Sequence, residues 1–297
     1  MSGRHRIHLI LVFTAFLGLA GGLRLPPAFA QSKAPGKPPA GASARQGLAF
    51  YERGDLARAL AAFTKAIEQN PKEAALYASR GVVRYRQGDL AGALADQTKA
   101  IELDPRLPQA YTNRGAVRLA MKDVEGAIAD HSAAIKVNPK YEEGYNNRGL
   151  ARLSKGDADG AIADLSQALK LNPFYPEAYV NLATAQVQKG DSNEALRNVS
   201  RAITMRPRMA EGYNIRGVAF AQMNRTREAM TDFNKALEIN PKFALAYQRR
   251  GILKLRLQDP AGALQDLRRA VELAPGLRES SAQPIADAEK ALKAPAK

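Results

Sequence analysis

The stretch Tyr111–Pro139, YTNRGAVRLAMKDVEGAIADHSAAIKVNP, returns 34 residues later as Tyr145–Pro173, YNNRGLARLSKGDADGAIADLSQALKLNP. Working outward, Pro71, Pro105, Pro139, Pro173, Pro207, Pro241 and Pro275 keep the same 34-residue spacing, with no insertion or deletion from Ala40 to Leu277. Seven repeats follow: 40–73, 74–107, 108–141, 142–175, 176–209, 210–243 and 244–277. A period of this length marks stacked supersecondary units, none of which can bury its apolar face alone.

Each unit reads as two helices. Apolar residues recur at helical spacing through Leu60, Phe63, Ala66 and Ile67, and again through Ile128, His131, Ala134 and Ile135. Between the helices, Gly54-Asp55, Gly88-Asp89, Gly156-Asp157 and Gly190-Asp191 supply a left-handed stop and then an N-cap. Asp259 is a cap followed by Pro260 at the first helical position, and Asp191 with Glu194 fits a capping box. Asn70, Asp104, Asn138, Asn172 and Asn240 precede proline and turn the chain into the next repeat. Small residues recur as Gly47, Gly81, Gly115, Gly149, Ala183, Gly217 and Gly251 on the first helices, and as Ala59 and Ala66 with their copies on the second. They let the two helices approach closely, and tyrosines from Tyr77 to Tyr247 fill the remaining space.

The pattern Tyr111-x-x-Arg114-Gly115, Ala127, Ala134, Pro139, with its copies, resembles the tetratricopeptide-repeat family over about four-fifths of the chain. The resemblance implies an all-α fold, a right-handed α-solenoid of antiparallel helix pairs whose first helices line a concave, peptide- or protein-binding groove. The repeat domain is expected at 43–277. The first repeat departs from the pattern at Ser43 and Gln46. After Leu277, Ile285, Ala288 and Leu292 form an apolar stripe behind Pro284, so 278–297 is expected to hold a capping helix and tail.

Two sets of residues stand out against that frame. Arg80, Arg114, Arg148, Arg216 and Arg250 occupy a place where the family usually has leucine, and the same five repeats carry Asp96, Asp130, Asp164, Asp232 and Asp266 on the second helix. The first and fifth repeats lack both partners, with Gln46 and Ala62, and with Leu182 and Asn198. Residues that come and go together point to five structural ion pairs within repeats, with two solvated charges as the alternative. The second set would face the groove: Asn113, Asn147 and Asn181, one per repeat, each able to bond a peptide amide through its carbonyl and NH2 groups. Asn146, Asn214, Gln248 and Arg249 add polar contacts, and Tyr85, Leu119 and Leu153 belong to an apolar floor. Glu143, Glu177 and Glu211 give an acidic edge. The Lys, Asn and Arg clamp by which a subset of the family holds a peptide's terminal carboxylate is absent, since Ala78, Val82 and Glu143 stand in its places.

The 297 residues contain 44 Lys+Arg against 29 Asp+Glu, a net charge of +15, and no cysteine. Disulfides, thiolate metal sites and a cysteine nucleophile are excluded. Arg4 and Arg6 precede an apolar run from Leu9 to Leu19, and Ala28-Phe29-Ala30 reads as a cleavage site before Gln31. Residues 1–30 are therefore expected to be a signal peptide, 31–42 a flexible linker, and the mature chain periplasmic; secretion and an uncleaved anchor are the alternatives. Cleavage would remove His5 and His8 and leave His131, which reads as a core residue. No phosphate loop, metal spacing or nucleophile elbow occurs, so no enzyme activity, cofactor, metal or catalytic residue is expected. Positive charge is spread through the repeats rather than gathered in a stripe. Its densest cluster is Arg249, Arg250, Lys254, Arg256, Arg268 and Arg269, so at most weak contact with an anionic surface is expected there, and no nucleic-acid partner. The expected function is an exported adaptor holding a partner protein or extended peptide, the alternative being a scaffold that assembles an envelope complex through its convex face or ends.

Overall fold

The computed structural model describes residues 40–293. The expected signal peptide and the linker up to residue 39 lie outside the described residues. Every regular element among them is helical. They fall into two compact units, 40–189 and 190–293.

The first unit contains α1 (Ala40–Glu52), α2 (Leu56–Gln69), α3 (Ala74–Arg86), α4 (Leu90–Leu103), α5 (Pro108–Ala120), α6 (Val124–Val137), α7 (Glu142–Lys155), α8 (Ala158–Leu171) and α9 (Pro176–Lys189). The second contains α10 (Ser192–Met205), α11 (Ala210–Gln222), α12 (Thr226–Ile239), α13 (Ala244–Arg256), α14 (Pro260–Leu273) and α15 (Arg278–Lys293). Within each unit consecutive helices pack as hairpins, and each hairpin packs on the next. The fold is an all-α solenoid.

The turns follow from the residues that make them. Gly54, Gly88, Gly156 and Gly190 have φ of +76°, +83°, +88° and +93°, a region that glycine enters without steric cost. The aspartate after the turn accepts a backbone N–H three residues on: Asp55 from Arg58, Asp89 from Gly92, and Asp157 from Gly160. Asp123 and Asp259 do the same with Gly126 and Gly262. Lys122, Asn224 and Gln258 hold the left-handed conformation where no glycine is present. One expected cap does not form. Asp191 makes no side-chain cap bond, and the Glu194 carboxylate, the other half of a capping box, is paired with Arg197. Between repeats, Asp104, Asn138, Asn172 and Asn240 accept the N–H two residues on, fixing the bend at each proline.

The close helix approach has a direct cause. A Cβ on Gly115 would sit 2.5 Å from His131 Cε1, and one on Gly217 would sit 2.7 Å from Phe233 Cε1. The side chain of the second helix occupies the space a larger residue would need. Between repeats, Ala78, Ala100 and Ala110 form one apolar cluster beside Tyr77, Ile101 and Leu107, while Ala236, Leu237 and Ala246 form another beside Tyr213, Phe243 and Tyr247.

One boundary differs from expectation. Helix α1 starts at Ala40, inside the stretch read as linker, because Ser43 and Ala44 are buried and Ala44 joins the core of Phe63, Ala66, Leu76 and Val83. Helix α15 starts at Arg278, where the capping segment was expected to begin, and Pro284 lies inside it. Its first turn is held by Leu277, which is buried, and by Ser280 and Ser281, whose hydroxyls accept from Gln248 Nε2 at 2.8 and 2.9 Å.

Candidate functional site

The ionic groups join the two helices of a hairpin, the first of which carries the groove candidates. Arg80 donates through Nε to Asp96 Oδ2 at 2.9 Å and through Nη2 to Oδ1 at 2.8 Å. Arg148 with Asp164, Arg216 with Asp232, and Arg250 with Asp266 repeat the fork at 2.7–2.8 Å. Arg114 reaches Asp130 at 3.0 and 2.7 Å. The five carboxylates are buried, Asp96 and Asp130 at 3% exposure. The carboxylate bonds hold the guanidinium pKa of Arg80, Arg148, Arg216 and Arg250 above the ordinary value against the opposing effect of burial. Each of the five arginines also lies over the ring of the tyrosine three residues before it, at 5.3–5.9 Å.

The sequence reading missed a second cation on four of these carboxylates. Arg84, Arg118 and Arg152 reach Asp96, Asp130 and Asp164 at 3.0, 2.9 and 2.8 Å, and Lys254 reaches Asp266 at 2.9 Å. In the sixth repeat Phe220 stands at that place, and Arg225 stacks on its ring at 4.5 Å. The arginines also tie neighbouring repeats together. Arg148 Nη1 donates to Ser132 Oγ of the preceding hairpin at 3.2 Å, and Arg250 Nη1 to Asn234 Oδ1 at 2.7 Å.

The expected groove residues sit deeper than the word groove suggests. In the first unit Asn113, Asn146, Asn181 and Leu153 are buried, whereas Tyr85, Leu119 and Asn147 are half-buried. Asn181 Nδ2 donates to Asn146 Oδ1 at 2.9 Å, and Asn146 Nδ2 donates to Asn147 Oδ1 at 3.1 Å. The three amides thus form one chain across α7 and α9. Asn181 Oδ1 and Gln188 Oε1 are shielded from solvent and have no hydrogen-bond partner. Burial raises the pKa of the Tyr85 phenol. In the second unit Asn214 and Gln248 are buried and Arg249 is half-buried. His131 is fully buried, neither ring nitrogen has a partner, and burial followed by the Arg148 charge lowers its pKa to about 3. Among the described residues no group of three or more His, Cys, Asp or Glu is placed to hold a metal, and no helix is long and apolar enough to cross a membrane.

A repeating hairpin with this register and these small-residue contacts can be compared with known proteins. Four models of the tetratricopeptide repeat match the chain, over residues 45–108, 149–190, 176–209 and 210–243. The chain belongs to the tetratricopeptide-repeat family. Among curated proteins none matches this tetratricopeptide-repeat chain. Among solved structures it is similar to a tetratricopeptide repeat protein from Parabacteroides merdae ATCC 43184, at 24% identity and a TM-score of 0.69, over 83% of this chain and 97% of that one. It is similar to Cut9–Hcn1, an APC/C hetero-tetramer, at 15% identity and a TM-score of 0.73, over 82% of this chain and 48% of that one. A third, the thermophilic protein TTC0263 of Thermus thermophilus, is 24% identical with a TM-score of 0.54, over 63% and 100%. At these identities the likeness shows that the tetratricopeptide-repeat fold is shared. As a member of this family the chain is a protein-interaction module.

Proposed function

We propose that the chain is an exported, non-enzymatic adaptor that holds an extended segment of a partner protein against its first helices. The observation that carries this reading is the amide chain of Asn146, Asn147 and Asn181, in which the half-buried Asn147 is the member a partner can reach. An asparagine amide offers an extended backbone both an acceptor and donors without demanding a particular side chain. The rigid hairpins on either side supply a surface that needs little reordering on binding, which lowers the entropy cost of association. Cut9 occurs together with Hcn1 in a hetero-tetramer, a precedent for this fold in assembly.

Substituting Asn113, Asn147 and Asn181 together with alanine is expected to weaken partner capture from the exported fraction at least tenfold while the helical circular dichroism is kept. Capture at unchanged affinity would instead favour a scaffold that works through its convex face or its ends. The export part of the reading has its own check. The mature N-terminus is expected at Gln31 in a periplasmic fraction, and an intact N-terminus confined to the cytoplasm would remove it.

A further inference from the structure

Phe174 is 82% exposed, more than any other large apolar side chain among the described residues. It stands in the turn between α8 and α9, where its backbone N–H donates to Asn172 Oδ1 at 3.0 Å. Tyr175, the next residue, is 7% exposed, so one ring anchors the turn while the other is held out in water. The preceding inter-repeat turns of the first unit carry Lys72, Arg106 and Lys140 at the same place, all exposed. A phenylalanine left in water there adds no burial to the fold.

The charges around it change in step. Helices α3, α5, α7 and α9 pack side by side in order, so the turns that lead into them share one edge. Asn172 Nδ2 donates to Glu142 Oε1 at 3.4 Å, which ties the α8–α9 turn to the start of α7, just after Lys140. The last turns of α2 and α4 carry Glu68 and Glu102, whereas those of α6 and α8 carry Lys136 and Lys170. Lys136, Lys140 and Lys170 are exposed and, among the described residues, hold no carboxylate. The carboxylates beside them are engaged, Glu142 by Asn172 and Glu143 by the Tyr141 phenol at 2.8 Å. Lysines at the hairpin tips behave differently: Lys155 holds Glu125 and Lys189 holds Asp159, each at 2.8 Å. The denser cluster of the last repeat is committed as well, since Arg250, Lys254, Arg268 and Arg269 each hold a carboxylate.

We propose that Phe174 with Lys136, Lys140 and Lys170 docks the first unit on a lipid surface that carries anionic headgroups. The ring enters the boundary between headgroups and acyl chains, and the ammonium groups meet the phosphates around it. Unpaired lysines flanking one protruding apolar ring match a layer of negative charge above an apolar one. Side chains standing out from a single edge meet a plane without needing a shaped pocket. The contact goes beyond the adaptor reading and does not depend on what the first helices bind.

The test uses the full chain with Phe174→Trp, which places the sole tryptophan of the sequence at the tip. Its emission is followed against vesicles of phosphatidylcholine alone, and of phosphatidylcholine and phosphatidylglycerol in equal parts. The mixed vesicles are expected to shift emission to shorter wavelength, and bromination of their acyl chains to quench it; the neutral vesicles are expected to do neither. Adding Lys136→Gln, Lys140→Gln and Lys170→Gln should raise the lipid concentration for half the shift at least tenfold. Added salt should raise it in the same direction. Lys65→Gln, at an exposed lysine of α2, should leave it as in the parent. Every replaced side chain is exposed, so Tm without vesicles is expected to be unchanged and loss of fold cannot imitate loss of binding. Unshifted emission with the mixed vesicles, an equal shift with the neutral ones, or a titration untouched by the three lysine changes would each overturn the proposal. A shift with polyglutamate and none with the mixed vesicles would overturn it in favour of an acidic protein partner.

Discussion

Within the first unit, the second, third and fourth repeats each close on a buried aspartate gripped by two arginines, and the first repeat closes without one. Where its neighbours have the arginine and the aspartate, the first repeat has Gln46 and Ala62. Where they have the second arginine, it has Phe50, with the Arg58 guanidinium 5.0 Å from the ring centre. The hairpin is nevertheless built, with Phe63 beneath Gly47 and Ala44 in the core. The ionic latch is therefore not what folds a hairpin. Its distinct contribution is the bond that crosses to the preceding hairpin, Arg80 Nη1 to Thr64 Oγ1 at 3.5 Å and Arg148 Nη1 to Ser132 Oγ at 3.2 Å. Apolar packing pulls helices together without fixing their sliding position, whereas a forked ion pair has one geometry. We assign the latch to register.

The sharpest way to break that comparison is Asp130→Ala, which gives the third repeat the alanine that the first carries. In the first repeat no cation is stranded by Ala62; in the third, Arg114 and Arg118 would be left facing an empty place. The expected cost is about 3 to 5 kcal/mol in urea unfolding, with hydrogen exchange quickening first in α5 and α6. Replacing all three groups together, Arg114→Leu, Arg118→Gln and Asp130→Asn, copies Leu182, Gln186 and Asn198 of the fifth repeat and should cost less than half as much. A single substitution costing no more than the triple one would show that the aspartate is not an isolated countercharge.

The third repeat differs from the first in a second way, through pH. His131 lies in the slot that holds Phe63 in the first repeat. Its folded pKa of about 3 is below the unfolded value of 6.5. The neutral ring is therefore favoured on folding. Its contribution is complete above pH 6.5 and falls as pH drops toward 3, by up to about 1.4 kcal/mol per pH unit. His131→Leu, which copies Leu165 and Leu267, should flatten the unfolding free energy between about pH 6 and 4 relative to the parent chain. Identical slopes for the two proteins would end that account.

The smallest expected effect concerns the turns. The first repeat turns on Gly54 and the third on Lys122, at φ +76° and +66°. Lys122→Gly should stabilise by about 1 kcal/mol, read as a shift in the urea midpoint at constant slope. A destabilised variant would mean that the lysine side chain makes a compensating contact.

The fold was legible because its strongest signals are local and repeated. The 34-residue proline spacing, the Gly-Asp turns and the glycine facing His131 or Phe233 each follow from contacts inside one hairpin or at one bend. The pairing of arginine with aspartate was legible because both residues vanish together. The second cation was not, since its place holds Phe50, Gln186 and Phe220 elsewhere, and an arginine among such neighbours reads as solvated. Nor was the depth of Asn113, Asn146, Asn181 and Asn214, which depends on how closely successive first helices pack and leaves no mark on residue type.

The turn tips also have a practical use. A Cβ at Gly54, Gly88 or Gly156 would meet nothing within 4 Å, and Lys122 occupies the equivalent tip with an ordinary side chain. In a chain with no cysteine, one thiol placed at Lys122 would be the sole attachment point for a fluorophore or spin label. The occupant of the neighbouring helices could then be detected by its effect on a reporter that disturbs no packed contact.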